Sequence, residues 1–162
     1  MKNNIFFKPS IIYILTLLIT SGCASRYAPP VTGPIAYITY ALEEDVNSVE
    51  VINYKTSDCS GSSRIGILFN GEPDEKTIDV AIPANKPFIS HFSYSWSYYG
   101  GMTACEITTS FIPEENQNYK SVFKTSYNSC SAQIFKITEV NNQTTLLSEP
   151  TFKKNPKKCH WW

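Results

Sequence analysis

Hydrophobic and polar residues alternate in short runs along most of the chain, with turn-forming residues between the runs. Between positions 77 and 83 every second residue is Ile or Val, a period of two that gives a strand one buried and one wetter face. No stretch of ten or more residues shows helical periodicity. The runs predict strands at 35–42, 49–54, 64–69, 78–82, 88–99, 103–111, 119–127 and 130–140, with a weak last strand at 144–147.

Turn signals separate these runs at intervals of roughly 8–12 residues, which is the spacing of strands in sandwich folds. Asn70-Gly71 is a strong turn dipeptide, Gly100-Gly101 ends the most aromatic run, and an acidic turn follows residue 42. We therefore predict an all-β fold, an antiparallel β-sandwich of the immunoglobulin-like or transthyretin-like kind.

The first 23 residues have the layout of an export signal that ends in a cysteine. Lys2 and Lys8 give a positive start without an acidic residue, and positions 11–19 form a mostly apolar run. A helix that spans a bilayer needs about 20 predominantly apolar residues, so this run is too short and matches a secretory signal instead. Small residues at 20–22 leave room for a peptidase beside Cys23.

Thr20-Ser21-Gly22-Cys23 resembles the lipobox of bacterial lipoprotein precursors, in which an aliphatic or small residue and two small residues precede an invariant cysteine. Thr20 stands where leucine is most common. The resemblance implies that Cys23 receives a thioether-linked diacylglycerol, that residues 1–22 are removed, and that the new α-amine is acylated, for example with palmitate. Ala24 after the cysteine implies sorting to the outer membrane, with the domain facing the periplasm or exposed at the surface. An ordinary cleaved signal with a coincidental cysteine is the alternative.

Prolines dominate the segment behind this cysteine. Pro29, Pro30 and Pro34 disfavour a helix and favour an extended tether, which at about 3.1 Å per residue would hold a domain up to roughly 30 Å from the membrane. The predicted organisation is a signal peptide at 1–22, the lipidated cysteine and tether at 23–34, the β-sandwich at 35–152, and a basic and aromatic tail at 153–162.

Four cysteines remain once Cys23 is set aside: Cys59, Cys105, Cys130 and Cys159. In an exported chain an even set indicates disulfides, so the predicted sandwich is disulfide-bonded. Zinc is the competing interpretation, but no two of the four have the close spacing of a zinc ligand pair, and we predict no metal. The set allows several pairings. We favour Cys59–Cys105 and Cys130–Cys159, because the second bridge would pin a chain end that otherwise frays.

Phe111, Pro113, Tyr119 and Cys130 follow one another in an order that resembles a motif of small, uncharacterised bacterial envelope lipoproteins. That motif has a glycine in its proline-containing turn, where this chain has Asn-Gln-Asn at 116–118. The resemblance implies a β domain and no particular chemistry.

The run from 88 to 99 is the most aromatic part of the chain, and its aromatic residues largely share one parity. They form either the sandwich core, which we favour, or a platform for a ligand. Lysines followed by terminal tryptophans in the tail suit a membrane surface, and the alternative is a solvated tail. The candidate binding-surface residues are Trp96, Tyr98, Tyr99, Trp161 and Trp162.

Charge and the few imidazoles limit the function classes. The chain carries 14 basic and 14 acidic residues, without the basic patch that predicts nucleic acid as a partner. His91 and His160 are the only histidines, and no Gly-x-Ser-x-Gly surrounds a serine, so we expect neither an enzyme nor a cofactor. We predict a non-enzymatic binding or accessory protein, inhibitory and immunity-type proteins included. Its lipid would hold it to the membrane, where it would meet a protein or another envelope component. The alternative is a structural component of an envelope complex.

Overall fold

The structure, a computed structural model, describes residues 25–43, 47–71, 76–98, 101–126, 129–140, 143–155 and 159. Within these ranges the regular structure consists of strands, which confirms the all-β prediction. The strands are β1 Ile35–Leu42, β2 Ser48–Tyr54, β3 Ser63–Phe69, β4 Thr77–Pro83, β5 Phe88–Tyr98, β6 Gly101–Phe111, β7 Asn118–Ser126, β8 Ser129–Val140, β9 Gln143–Ser148 and β10 Lys153–Asn155.

The strands form two five-stranded sheets that pack face to face. Sheet 1 has the order β4-β1-β7-β8-β9, and sheet 2 has the order β10-β6-β5-β2-β3. The pairings between these strands are antiparallel except that of β1 with β7, which run parallel. The predicted β-sandwich is confirmed. Nothing in the described part of the chain is a helix long and apolar enough to cross a bilayer.

Alternate residues of both sheets point into a shared core, as the period of two requires. Tyr40 of β1, Phe92 of β5 and Phe123 of β7 are fully buried, and the rings of Phe92 and Phe123 stack with their centroids 5.5 Å apart. Phe88 and Tyr94 of β5 are buried in the same cluster. The interpretation of the aromatic run as core is therefore confirmed at positions 88, 92 and 94.

Ser90 interrupts the aromatic parity of β5 because it satisfies a buried phenol. Its Oγ lies 2.7 Å from the hydroxyl oxygen of Tyr40, and both side chains are buried. A buried hydroxyl left without a partner costs about 1–3 kcal/mol, so the pair makes it possible to bury a tyrosine in the core. Burial raises the pKa of Tyr40 well above its ordinary value, and the hydrogen bond to Ser90 opposes that rise.

The two disulfides join partners other than those favoured from the sequence. Cys59 bonds Cys159 with the Cα atoms 5.5 Å apart, and Cys105 bonds Cys130 with the Cα atoms 6.2 Å apart. The predicted pairing of Cys59 with Cys105 and of Cys130 with Cys159 is wrong. Cys105 lies on β6 and Cys130 on β8, strands that contact each other between the two sheets. The pairing follows from how the sheets stack, which distance along the chain does not reveal.

A second apolar cluster lies on the outer face of sheet 2, away from the main core. It consists of Ile52, Tyr54, Ile89 and Cys159, with Cys59 packed against it. His91 is fully buried beside it, with its ring centroid 5.8 Å from that of Tyr54 and its Nδ1 3.0 Å from Oγ1 of Thr108. The Cys59–Cys159 disulfide therefore holds the chain at Cys59 and Cys159 over one outer face of the sandwich. We call this disulfide-linked part of the chain the cover.

The segment predicted as a basic tail begins as a strand. β10 pairs with β6, with Lys153 opposite Ser110 and Asn155 opposite Thr108. Two lysines in three residues offer no apolar pattern, so nothing local in the sequence indicates this strand. Backbone hydrogen bonds to β6 stabilise this strand in place of apolar side chains.

Residues 25–27, predicted to lie within an extended tether, are docked on the sandwich. The backbone N–H of Arg64 donates to the carbonyl oxygen of Ser25, and that of Tyr27 donates to the carbonyl oxygen of Arg64, both at 2.8 Å. The Tyr27 ring meets Phe88 edge-on with centroids 6.1 Å apart, and its hydroxyl donates to the carbonyl oxygen of Ala81 at 3.1 Å. This part of the segment belongs to the domain because Tyr27 finds a partly buried site on it.

Alkaline pH is expected to loosen this docking through Tyr27. Burial raises the pKa of Tyr27 to about 12, above its ordinary value near 10. Because the folded-state pKa is the higher one, the stabilisation is complete below pH 10 and is lost as the pH rises towards 12. After allowance for solvent screening the loss is on the order of 1 kcal/mol. Urea unfolding at several pH values should show a steeper decline between pH 10 and 12 for the native chain than for Tyr27→Phe. Equal declines would contradict this role.

Candidate functional site

Most of the residues that the sequence indicated as a binding surface lie outside the described residues. The backbone of Trp96 pairs with Thr103, and that of Tyr98 pairs with Gly101, in the hairpin of β5 and β6. Their side chains, together with the whole of Tyr99, Trp161, Trp162 and the proposed lipidation site Cys23, lie outside the described residues. The candidate binding residues that the sequence did not indicate lie on sheet 1.

Cross-strand neighbours place a row of side chains across the outer face of sheet 1. Tyr37 pairs with Ala81 on one side and with Asn118 on the other, Asn118 pairs with Ile137, and Ile137 pairs with Leu146. Directly opposite residues share a face of the sheet. Tyr37 is 52% exposed and Leu146 is 45% exposed, with Ile137 partly exposed between them. We call Tyr37, Ile137 and Leu146 the apolar row.

A groove of about 560 Å³ lies over β4, β1, β7 and β8, and Tyr37 and Ile137 of the apolar row line it. Its polar groups include Asn118 and the hydrogen-bonded pair of Thr39 and Asp79. Lys120 pairs with Thr39 in the neighbouring cross-strand row. Apolar side chains with the amide of Asn118 between them and a carboxylate and an ammonium beside them have the mixed composition of a protein-binding surface.

Three of the four edge strands of the described sandwich carry features that discourage pairing with another chain. β4 contains Asp79 and ends in Pro83, and β10 has only three residues, two of them lysines. β3 contains Arg64, has a register shift against β2, and is bridged by Arg26 of the docked N-terminal segment. Charge, proline, irregular register, short length and a covering segment are the usual means of protecting an edge.

Within the described residues, the fourth edge strand, β9, has none of these protections. Its sequence, Gln-Thr-Thr-Leu-Leu-Ser, contains neither a charged residue nor a proline, and its pairing with β8 runs without a register shift. Leu146 and Leu147 are 45% and 51% exposed. An exposed, uncharged edge with two leucines is a template for another strand. A pair of leucines in a short run without charge is the signal in the sequence that could have indicated it.

The β3 and β4 edges lie on one side of the sandwich, and the β9 and β10 edges lie on the other. β3 contacts both β1 and β4, so the edge of sheet 2 that ends in β3 lies next to the edge of sheet 1 that ends in β4. β6 contacts β8, which places β10 and β9 together on the other side. The docked N-terminal segment is on the β3 side, and the unprotected edge is on the β9 side.

Buried polar groups elsewhere in the described residues hold the fold together. His91 and Thr108 have the spacing of a base and a hydroxyl, and both are buried beside the second cluster. Glu149 is also buried, and its Oε1 accepts hydrogen bonds from the backbone N–H and the hydroxyl of Thr151, which fixes the connection from β9 to β10. Across the described ranges no group of three or more His, Cys, Asp or Glu residues could hold a metal ion.

Comparison of the chain with protein-family models, with curated proteins and with solved structures returns no match.

Proposed function

We propose that this protein is a lipid-anchored envelope protein that binds an extended segment of a partner protein along β9. The observation that carries the proposal is the unprotected β9 edge, with Leu146 and Leu147 about half exposed and no charge in the strand. A partner segment would add a strand to sheet 1, and its main-chain hydrogen bonds would supply much of the affinity. The protein would act by binding and not by catalysis.

The apolar row makes this edge selective for the partner segment that it binds. Side chains of an added strand point alternately to the two faces of sheet 1. Those on the outer face would extend the apolar row beyond Leu146, whereas those on the inner face would meet Leu147 at the margin of the core. The partner segment is therefore expected to carry apolar residues on both faces near its centre.

A protein partner suits this surface better than a glycan does. Sugar rings are held by stacking on aromatic rings, and the apolar row offers a single aromatic ring, that of Tyr37, beside two aliphatic side chains. Ile137 and Leu146 contribute apolar area of the kind that fills the centre of a protein interface. Asp79 and Lys120 at the rim would orient charged groups of the partner.

Photo-crosslinking in intact cells tests this proposal. Benzoylphenylalanine at Thr144, an exposed position of β9, is expected to give one discrete heterologous adduct. The same group at Ile67 of β3 is the matched control and should not give that adduct. The change Leu146→Lys with Leu147→Lys should abolish the adduct, because lysines on an edge strand oppose strand addition. Both positions are about half exposed and Leu147 lies opposite Lys136, so the double change should lower the free energy of unfolding by about 1–2 kcal/mol and leave the protein folded.

A second measurement ties the adduct to strand addition. A synthetic peptide with the sequence of the crosslinked partner segment should bind the purified protein and slow hydrogen exchange in β9 more than in β3. An adduct that survives the double lysine change, or a peptide that protects no β9 amide, would contradict the proposal. A homodimeric adduct would also contradict it, because the partner would then be a second copy of this chain.

Anchoring through Cys23 is the other half of the proposal. It is supported by the resemblance of Thr20-Ser21-Gly22-Cys23 to a lipobox and by the two disulfides, which suit an oxidising compartment. Mass spectrometry of the N-terminal peptide from purified membranes should find a diacylglyceryl group and an amide-linked acyl chain on Cys23. An unmodified N-terminal peptide would remove the anchor from the proposed function and leave the binding edge to be judged by its own experiment.

A further inference from the structure

We infer that the β3 side of the sandwich lies directly against the phospholipid leaflet that carries the anchor, an orientation that rests on the proposed lipidation of Cys23. The surface consists of the docked segment 25–27 and the exposed residues of β3, and we call it the β3 face. Its occupant is the headgroup layer of the same membrane.

The length of chain between the anchor and the domain carries the inference. Ser25 is already hydrogen bonded to the domain, through its carbonyl oxygen to the N–H of Arg64 and through its Oγ to the carbonyl oxygen of Ser62 at 2.9 Å. Ala24 is the single residue between Ser25 and Cys23. A chain step of two residues spans at most about 7 Å, so Ser25, which is hydrogen bonded to the start of β3, stays within that distance of the lipidated residue. A tether of tens of ångströms is incompatible with this docking.

The chemistry of the β3 face fits a phospholipid headgroup layer. A groove of about 480 Å³ runs along it, lined by Arg26 and Arg64 at one end and by Ile67 and Phe69 at the other. Guanidinium groups donate hydrogen bonds to phosphate oxygens. Arg64 also pairs with Glu50, which leaves Arg26 as the arginine of the groove without a carboxylate partner in the described residues. Ile67 and Phe69, 39% and 46% exposed, offer apolar contact just below the headgroups.

This orientation separates the two surfaces of the molecule. The β3 and β4 edges lie together on one side of the sandwich, and the β9 and β10 edges lie together on the other. A protein held by its β3 face therefore presents β9 away from its own membrane. The docked segment thus works as a positioning device as well as a link.

Lipid photo-crosslinking tests the orientation on the protein purified from membranes. The protein is reconstituted in vesicles of phosphatidylethanolamine with a minority of phosphatidylglycerol, which contain a phospholipid with a diazirine in its headgroup. Mass spectrometry should find adducts concentrated in 25–27 and 63–69. β9 is the internal control, because Leu146 and Leu147 are as apolar and as exposed as Ile67 and Phe69. Equal labelling of 63–69 and 143–148 would overturn the inference.

Three variants test the orientation further. Ile67→Asn with Phe69→Asn should reduce labelling of the β3 face at least about threefold through lost apolar contact, whereas Leu146→Asn with Leu147→Asn should leave it unchanged. A flexible Gly-Ser insert of about twelve residues between Ala24 and Ser25, roughly 20 Å in mean span, should let the domain rotate and even out the labelling. If the variant with Ile67→Asn and Phe69→Asn were labelled on the β3 face as strongly as the native protein, the inference would be overturned.

The same preparation separates this inference from the proposed anchor. If the N-terminal peptide carries lipid but labelling falls elsewhere, the orientation fails and the anchor stands. If Cys23 carries no lipid, the anchor fails, and the assay is repeated on residues 23–162 with the Cys23 thiol coupled to a maleimide phospholipid. The other four cysteines are in disulfides, so Cys23 is the thiol that reacts. Labelling of 63–69 on that material supports the orientation, and even labelling overturns it.

Discussion

A chain with Cys23→Ser is expected to lose fatty-acid labelling completely and to fail to reach its mature size. A serine hydroxyl cannot form the thioether that the lipobox resemblance assigns to this position, so neither the diacylglycerol nor the later acyl chain would be added. Each buried methylene contributes about 0.8 kcal/mol, and stable attachment needs more than one chain. Removing all chains should therefore abolish attachment through lipid and not merely weaken it. Palmitate labelling, the electrophoretic mobility of the mature form and membrane fractionation measure these effects.

The matched control is Ser21→Ala, which keeps a small residue in the same segment and should be labelled and processed like the native chain. The described strands and both disulfides lie beyond residue 25, so Cys23→Ser protein should still contain the Cys59–Cys159 and Cys105–Cys130 bridges. Equal fatty-acid labelling of the native chain and the serine variant would show that the lipid is not on Cys23. Absence of label from the native chain would refute lipidation altogether.

Local patterns in the sequence predicted most of the strands because burial alternates along each of them. The predicted range 35–42 coincides with β1, and most other predicted strands begin or end within one or two residues of those observed. β10 was missed because Lys153 and Lys154 carry no apolar signal and the strand exists through pairing with β6. Patterns within a strand report its faces and cannot report a strand that its neighbour stabilises.

The sequence indicated much less about which strands and which cysteines pair when they lie far apart in the chain. The parallel pairing of β1 with β7 joins residues far apart in the chain, and no local pattern indicates it. The disulfide partners were wrong for the same reason, since they depend on which strands face each other. Val51, Ile52, Asn53 and Tyr54 are consecutive and all buried, so this run is covered on both faces, but the polar Asn53 conceals that in the sequence. That run marks the second cluster under Cys159.

The candidate functional residues also divide into those that a local sequence motif indicates and those that only the fold brings together. Cys23 is a sequence motif, and its role stays a prediction. The apolar row could not be predicted, because Tyr37, Ile137 and Leu146 become neighbours only through the order β1-β7-β8-β9. The value of β9 as a binding edge also depends on its being last in sheet 1, since the same six residues in the middle of a sheet would be paired on both sides.

Removal of the Cys59–Cys159 disulfide is expected to cost more stability than removal of Cys105–Cys130. The first bridge closes a loop with a sequence separation of 100 residues and the second one of 25. Loop-closure entropy then gives about 4.7 kcal/mol for the first and about 3.5 kcal/mol for the second. Only the first bridge also holds the cover over Ile52, Tyr54 and Ile89. Urea unfolding of Cys59→Ala with Cys159→Ala, compared with Cys105→Ala with Cys130→Ala, measures the difference in the free energy of unfolding.

Hydrogen exchange distinguishes loss of the cover from general loosening. In the variant without Cys59–Cys159, the amides at 52–54 and 89–91 should exchange much faster, while those of β7, which lies in sheet 1, should change only as far as global stability falls. Small domains are stable by about 5–15 kcal/mol, so a loss of this size leaves little margin and the variant should unfold at a distinctly lower temperature. A larger loss in the Cys105–Cys130 variant would show that the link between the sheets matters more than the cover. Peptide mapping without reduction checks the pairing itself, because fragments joined through Cys59 and Cys159 exclude the pairing of Cys59 with Cys105.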